Sequence, residues 1–277
     1  MNTPPFKLIV CMLTALLLSG SGSAGVEESR ADWNKNIITA FGVSSIRIDY
    51  SGTPVSIHGN DSISITEARR GAYETAKEIA MEKMISILKN IRVDQDNTIG
   101  SMLEHDSFTR RRLYAALERI QFEELPAGFV SSACRAKLSM GDITASLPFV
   151  FPADDFPERI DVPIETAYSG LIIDLRGLET KPMLFPVVYN RNGLEIISRN
   201  NINGAETVKY GMVTYAIDEK DAKLNKRVGA HPLYVTAIDE NRGCPVLSEK
   251  DVRRIFSSRK TMKALKECRI VFIIDKE

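Results

Sequence analysis

The chain has 277 residues, with 36 Lys and Arg balanced by 36 Asp and Glu, and 44% of its residues are hydrophobic. A chain of this length can bury the core of one large domain or two ordinary ones. The balanced charge gives no global field that favours nucleic acid, and no long basic run supplies a phosphate-tracking patch. The three arginines at 110–112 lie in a glutamate-rich helical segment, so a solvated helix face explains them better than an anion site.

The first 24 residues have the organisation of a secretory signal peptide. One charge, Lys7, precedes the apolar run from Leu8 to Leu18, and small residues lead to Ala24. The run is shorter than the roughly 20 residues that span a bilayer, although a permanent anchor is the alternative. A lipoprotein signal would place cysteine where Gly25 stands, and Cys11 lies deep in the apolar run. We therefore expect an exported, periplasmic and unlipidated protein with no permanent membrane span in the mature chain.

Residues 25–151 are predicted to form an N-terminal α+β domain. A first strand is expected around Ile37 to Ile48. The clearest helix follows, with a capping box formed by Ser64 and Glu67. Its apolar residues recur at helical spacing, and its early small residues would allow close approach to a sheet. These residues are Ala68, Ala72, Ala76, Ile79, Ala80, Met84, Ile87, Leu88 and Ile91.

A second helix is predicted near Asp106 to Arg119. The next segment, FVSSACRAKLSMGDITASLPFV, is interpreted as a hairpin that turns at Gly141-Asp142. The sequence FPADDFPERIDVP then carries three prolines and four acids, which predicts a linker at residues 152–163.

Residues 164–277 are predicted to form a sheet-rich C-terminal α+β domain. Leu171 to Leu175 is expected as a strand, and MLFPVVY with LEIIS as a hairpin closed by Asn192-Gly193. VKYGMVTYAI and PLYVTAI are two further strand candidates. Ser248 is expected to start a helix, and CRIVFIID to close the chain as a central strand buried on both faces. The predicted fold class is thus α+β, with two mixed domains after a cleaved signal peptide.

Three cysteines remain after the predicted cleavage: Cys134, Cys244 and Cys268. An oxidising compartment would permit a disulfide, for which Cys244 and Cys268, flanking the last predicted helix, are the better pair. Equally, all three can be small buried apolar residues.

Two segments resemble known families. The helix and strand of ITEARRGAYETAKEIAMEKMISILKNIRVD resemble the LPP-twenty envelope lipoproteins, and the N-terminal domain of the flagellar assembly protein T is similar. YSGLIIDLRGLETKPMLFPVVYNRNGLEII resembles a signature of exported bacterial proteins in that broad group, where a strand ending in Asp-x-Arg-Gly-Leu precedes spaced prolines and a hairpin. The closing SEKDVRRIF and CRIVFIID also fit. The resemblance implies a periplasmic, non-catalytic envelope or flagellum-associated component, but the missing lipobox cysteine departs from the lipoprotein members.

The residues give little support to catalysis. The histidines, His58, His105 and His231, are far apart and match no zinc spacing. Neither a nucleophile elbow nor a phosphate-binding glycine loop is present. The adjacent acids Asp154-Asp155 and Glu123-Glu124 are expected in loops, where they cannot flank a sugar bond as glycosidase carboxylates do. No catalytic, cofactor-binding or metal-binding residue is therefore assigned, and no cofactor is expected.

Asp174 and Arg176 are the remaining candidates, because they interrupt an apolar strand. Alternate residues share a face of a strand, so these two charges lie one pleat apart, roughly 6–7 Å. We interpret them as a semi-buried ion pair that fixes the strand end. The alternative is a ligand site at the carboxyl end of a strand, where open α/β sheets bind their ligands.

The sequence thus predicts an exported, non-catalytic protein that binds envelope or flagellar basal-body partners, and not an enzyme. Two alternatives are kept. One is a cell-wall hydrolase that uses Asp174 and His231; the other is a peptidoglycan-binding module without turnover.

Overall fold

The computed structural model of the protein describes residues 28–57, 59, 61–156 and 166–276. The predicted signal peptide, His58 and most of the predicted linker, from residue 157 onward, lie outside the described residues. The described part of the chain contains eight α-helices and three four-stranded sheets. The predicted α+β class is confirmed. None of these helices combines the length and the apolar character that a membrane span requires.

The N-terminal half is an antiparallel sheet with helices. Its elements in chain order are β1 Arg30–Asp32, β2 Ile37–Ser45, α1 Ile65–Asn90, α2 Ile99–His105, α3 Ser107–Leu117, β3 Gln121–Leu125, β4 Ser131–Ser139 and α4 Met140–Ser146. The strand order is β1-β2-β4-β3, and every neighbouring pair is antiparallel. Glu123 and Glu124 lie within β3 and not in the loop that the sequence predicted.

The long helix α1 packs on this sheet as predicted. The Ser64 hydroxyl accepts a hydrogen bond from the Glu67 amide, and the Glu67 carboxylate accepts one from the Ser64 amide, which confirms the capping box. The helix buries Ala68, Ala72, Ala76, Ala80, Met84 and Leu88. On β2, Gly42 faces the alanines so closely that a Cβ atom there would lie 1.8 Å from the Ala76 carbonyl oxygen. The small residues therefore set how near the helix approaches the sheet.

The hairpin predicted at Gly141-Asp142 is wrong. Ser139 ends β4 and accepts a hydrogen bond from the Gly141 amide, so it caps α4 instead of leading into a turn. Asp142 occupies the acidic first turn of this helix. A Cβ atom on Gly141 would lie 2.2 Å from the Val208 carbonyl oxygen. This glycine therefore permits helix packing and does not form a reverse turn.

The C-terminal half alternates short strands and helices. Its elements in chain order are β5 Leu171–Asp174, β6 Val188–Asn190, β7 Glu195–Ile197, α5 Gly204–Tyr210, β8 Thr214–Ala216, α6 Glu219–Leu224, β9 Leu233–Thr236, β10 Asp239–Asn241, β11 Cys244–Leu247, α7 Glu249–Phe256, α8 Arg259–Lys266 and β12 Ile270–Ile273. One sheet has the order β10-β11-β6-β7. Its β6–β7 hairpin confirms the turn predicted at Asn192-Gly193, where Gly193 has a φ of 80°.

The other sheet of this half is entirely parallel, with the order β8-β12-β5-β9. All four residues of β12 are buried, and the strand pairs on both sides, as the apolar run predicted. The strand predicted for VKYGMVTYAI is confirmed only in the last part of that segment. Asn203 caps α5 through the amides of Ala205 and Glu206, so the first part is helical and the strand begins at Thr214.

The two halves share one hydrophobic core. The amides of Leu184 and Phe185 donate to the carbonyls of Arg92 and Val93, both at 2.9 Å. Trp33 also packs edge-on against Tyr215, with ring centroids 5.6 Å apart. These contacts join the N-terminal half to the C-terminal half. The domain boundary at residues 152–163 stays a prediction.

Candidate functional site at the carboxyl edge of the parallel sheet

The Asp174 cluster, formed by Asp174, Arg176 and Tyr234, lies at the carboxyl end of the parallel sheet. Asp174 is the last residue of β5, and its strand neighbour on β9 is Thr236. Tyr234 lies two residues earlier on β9 and reaches the same carboxylate. Only 8% of Asp174 is exposed, whereas Arg176 and Gly177, in the loop that follows β5, are exposed.

Both carboxylate oxygens of Asp174 are occupied. Arg176 donates from Nη2 to Oδ2 at 2.5 Å and from Nε to Oδ1 at 2.9 Å. Its main-chain amide donates to Oδ1 at 3.1 Å. The Tyr234 hydroxyl donates to Oδ2 at 2.5 Å. The ion pair predicted from the sequence is therefore present, with a third partner that sequence reasoning missed.

These hydrogen bonds set the protonation states in the cluster. The Arg176 guanidinium, with help from the Tyr234 hydroxyl, outweighs burial and lowers the pKa of Asp174 to about 2. Burial, together with the adjacent carboxylate, raises the pKa of Tyr234 to about 12. At neutral pH the cluster thus contains a fixed carboxylate and a neutral phenol. A general acid or base works best with a pKa near the operating pH, which neither group has.

A second carboxylate, that of Asp275, connects the segments that follow β5 and β12 at this edge of the sheet. Asp275 follows β12 and accepts a hydrogen bond from the Gly177 amide at 2.8 Å. Gly177 has a φ of 82°, which glycine adopts without strain, so the chain turns away directly after Arg176. The Leu175 amide also donates to the Ile273 carbonyl at 2.8 Å. The chain is therefore linked to the end of β12 through the residues on both sides of Arg176.

A cleft of about 780 Å³ lies at the same edge of the sheet, between the ends of β8 and β12 and the first strand, β1. Its apolar wall includes Trp33, Tyr215 and Ile217, and Asp275 is on its rim. The Asp174 cluster is outside its lining. The Asp174 cluster and this cleft are thus neighbouring but separate features.

The structure does not bring His231 to Asp174. His231 lies before β9 at the amino end of the sheet, where the Ser169 amide donates to its carbonyl. Five residues of extended chain from Ser169 to Asp174 span roughly 16 Å. His105 is elsewhere, with its Nδ1 2.8 Å from the Ser101 carbonyl oxygen. A catalytic pair of Asp174 and His231 is therefore not formed.

The cysteines of the described chain are free and buried. Cys244 packs in a small cluster with Met183 and Tyr189, whereas Cys268 lies in the main core beside Thr207. Two helices, α7 and α8, separate them along the chain, and they do not form the disulfide considered from the sequence. Burial raises the pKa of both thiols, which disfavours the reactive thiolate. Within the described residues, no group of three or more His, Cys, Asp and Glu is placed to hold a metal ion.

Comparison with known proteins adds one similarity. A family model described as the second domain of Treponema pallidum Tp0624 matches residues 170–276. This segment is similar to that domain. The Tp0624-like segment begins one residue before β5 and ends after β12, so it contains the whole parallel sheet and the Asp174 cluster. A search of curated proteins found no match to the chain.

The pKa of Asp174 predicts an acid-sensitive contribution to stability. Because the folded-state pKa lies below the ordinary value of 3.8, the ionised carboxylate stabilises the fold above about pH 4. This contribution, about 2 kcal/mol at 1.36 kcal/mol per pKa unit, is lost as the pH falls toward 2. Urea unfolding of the wild type and Asp174→Asn from pH 7 to pH 2 measures it. We expect their stability difference to shrink below pH 4; a difference that is constant over this range would contradict the assignment.

Proposed function

We propose that the protein is an exported, non-catalytic structural or interaction protein of the bacterial cell envelope or of the flagellar basal body. The order of charge, apolar run and small residues in the first 24 residues supports export. The resemblance of the α1 region and of the segment around Asp174 to exported envelope and flagellar proteins supports the location. The similarity to the Tp0624 domain concerns the second half alone.

The observation that carries the non-catalytic assignment is the closed arrangement around Asp174. Arg176 and Tyr234 donate hydrogen bonds to both carboxylate oxygens, so this buried charge already has protein partners. Such a group fixes the fold and has no oxygen turned toward a substrate. Cell-wall hydrolysis is less well supported, because Asp174 has a pKa of about 2 and His231 lies at the other end of the sheet.

In-cell cross-linking of the full chain, followed by identification of its neighbours, tests this function. We expect the exported protein to be captured with a small set of envelope or basal-body proteins. A matched variant that lacks residues 2–24 should stay in the cytoplasm and lose those neighbours. Capture of the same cytoplasmic proteins by both forms would refute export and the envelope assignment together.

A further inference from the structure

A second cleft lies at the amino end of the parallel sheet, opposite the Asp174 cluster. It encloses about 550 Å³ between four segments: the loop after β1, the end of α5 with the start of β8, residues 225–227 before β9, and the segment before β12. That volume is within the range of small-molecule sites, which is about 300–1,000 Å³. Its lining is polar and includes the side chains of Asn34, Asn36, Asn225 and Thr214. We call it the cationic cleft.

Positive charge is concentrated in this cleft. The chain as a whole has no net charge, but five cationic side chains line the cleft beside two carboxylates. The cations are Lys35, Lys209, Lys226, Arg227 and Arg269, and the carboxylates are Glu206 and Glu267. Glu267 is paired with Arg269 at 3.0 Å and Lys35 with Asp32 at 3.5 Å, whereas Lys209 and Lys226 are exposed. A concave surface with an excess of one sign of charge attracts ligands of the opposite sign.

The floor of the cleft contains a partly buried cation. The Arg227 guanidinium donates to the hydroxyl of Thr214 at 2.6 Å and to the carbonyl of Tyr210 at 3.0 Å. It also donates to the carbonyls of Gly211, Met212 and Cys268. These acceptors fix the guanidinium at the end of α5, but all of them are neutral. Its positive charge therefore adds to the field in the cleft instead of being cancelled by a bonded carboxylate.

A second groove continues the positive surface. It has a volume of about 420 Å³ and shares Glu267 and Arg269 with the cationic cleft. Lys260 and Lys263 of α8 line it, and so does His231, whose ring stacks on Tyr168 with centroids 5.6 Å apart. Cationic side chains thus line two neighbouring grooves that both include Arg269. A ligand with several negative charges can contact more of them than a single small anion can.

We propose that the cationic cleft binds a phosphate-bearing ligand with at least two negatively charged groups. Lys209 and Lys226 would contact the phosphate oxygens at the open side, and the Asn34 and Asn225 amides would donate the neutral hydrogen bonds that a polar ligand needs. The proposal goes beyond the interaction function above and does not depend on export, because it rests on the geometry of a different site.

Calorimetric titration of the folded chain with inorganic tripolyphosphate at constant ionic strength tests the proposal. We expect saturable binding that weakens at least tenfold in the double variant Lys209→Gln/Lys226→Gln. The matched control, Lys89→Gln/Lys220→Gln, removes the same charge from exposed residues outside both grooves and should change the dissociation constant less than twofold. Thermal unfolding in the absence of ligand checks that both double variants are folded.

Two further probes distinguish the sources of phosphate and the chemical class. Vesicles containing phosphatidylglycerol, compared with neutral phosphatidylcholine vesicles, test a lipid headgroup. Binding to them that is lost in the cleft variant but kept in the control would support the proposal with a lipid as the source. Citrate tests whether any multivalent anion suffices, and equal affinity for citrate and tripolyphosphate would overturn the phosphate assignment. Absence of binding to both phosphate probes, or equal weakening in the two double variants, would overturn the cleft as a site.

Discussion

Gly42→Ala is expected to cost more than about 3 kcal/mol in the free energy of unfolding, since a Cβ atom at this position overlaps main-chain atoms of α1. The added carbon would lie 1.8 Å from the Ala76 carbonyl oxygen and 2.8 Å from the Ala80 nitrogen. Neither atom can move without a shift of the whole helix. Urea unfolding followed by far-ultraviolet circular dichroism measures the loss, and the variant would have a lower midpoint or no cooperative transition.

Gly59→Ala is the matched control for this prediction. A Cβ atom there would lie no closer than 3.6 Å to its nearest neighbour, the Asp61 carboxylate. We expect its free energy of unfolding to stay within about 0.5 kcal/mol of the wild type. An unchanged unfolding midpoint for Gly42→Ala would show that the contact between α1 and β2 is looser than described.

Asp174→Asn is expected to lower the free energy of unfolding by about 2–3 kcal/mol at neutral pH. The substitution keeps the size of the side chain but removes the charge that Arg176 and Tyr234 both contact. Loss of a buried ion pair often costs about 3–5 kcal/mol when the remaining charge stays buried. Here the Arg176 side chain is 40% exposed and can turn toward water, so we expect a smaller loss. Urea unfolding at pH 7 measures it.

Asp155→Asn provides the comparison for a solvent-exposed ion pair. The Asp155 carboxylate accepts a hydrogen bond from Lys266 at 2.9 Å, but its side chain is fully exposed. Exposed pairs are screened by solvent and contribute little. We therefore expect the unfolding midpoint of Asp155→Asn to match that of the wild type. Equal losses in the two variants would mean that burial of Asp174 is not the source of its effect.

Local signals explain which elements could be predicted from the sequence. The capping box at Ser64 and the helical spacing of alanines depend on residues within one element, and both were found in α1. The apolar run before Asp275 likewise indicated a strand buried on both faces. The ion pair of Asp174 and Arg176 could be predicted because both residues belong to one strand end.

Contacts between distant segments explain the errors. A Gly-Asp pair is common both in turns and in the first turn of a helix, and the Val208 carbonyl that approaches Gly141 comes from a distant element. Tyr234 lies 60 residues after Asp174, and only the parallel pairing of β5 and β9 shows that they meet. The cationic cleft is assembled from four separate segments, so no basic run in the sequence indicated it.

The role of Asp174 is tested most directly by measuring stability and turnover on the same Asp174→Asn preparation. Purified peptidoglycan is incubated with the wild type, with the variant and with heat-inactivated protein, and soluble fragments are quantified beside the urea unfolding curves. We predict that the variant is less stable than the wild type. We also predict that neither the folded wild type nor the folded variant releases more soluble fragments than the heat-inactivated protein does. Release by the wild type that is lost in a variant of unchanged stability would show that Asp174 is catalytic and would contradict the binding function proposed above.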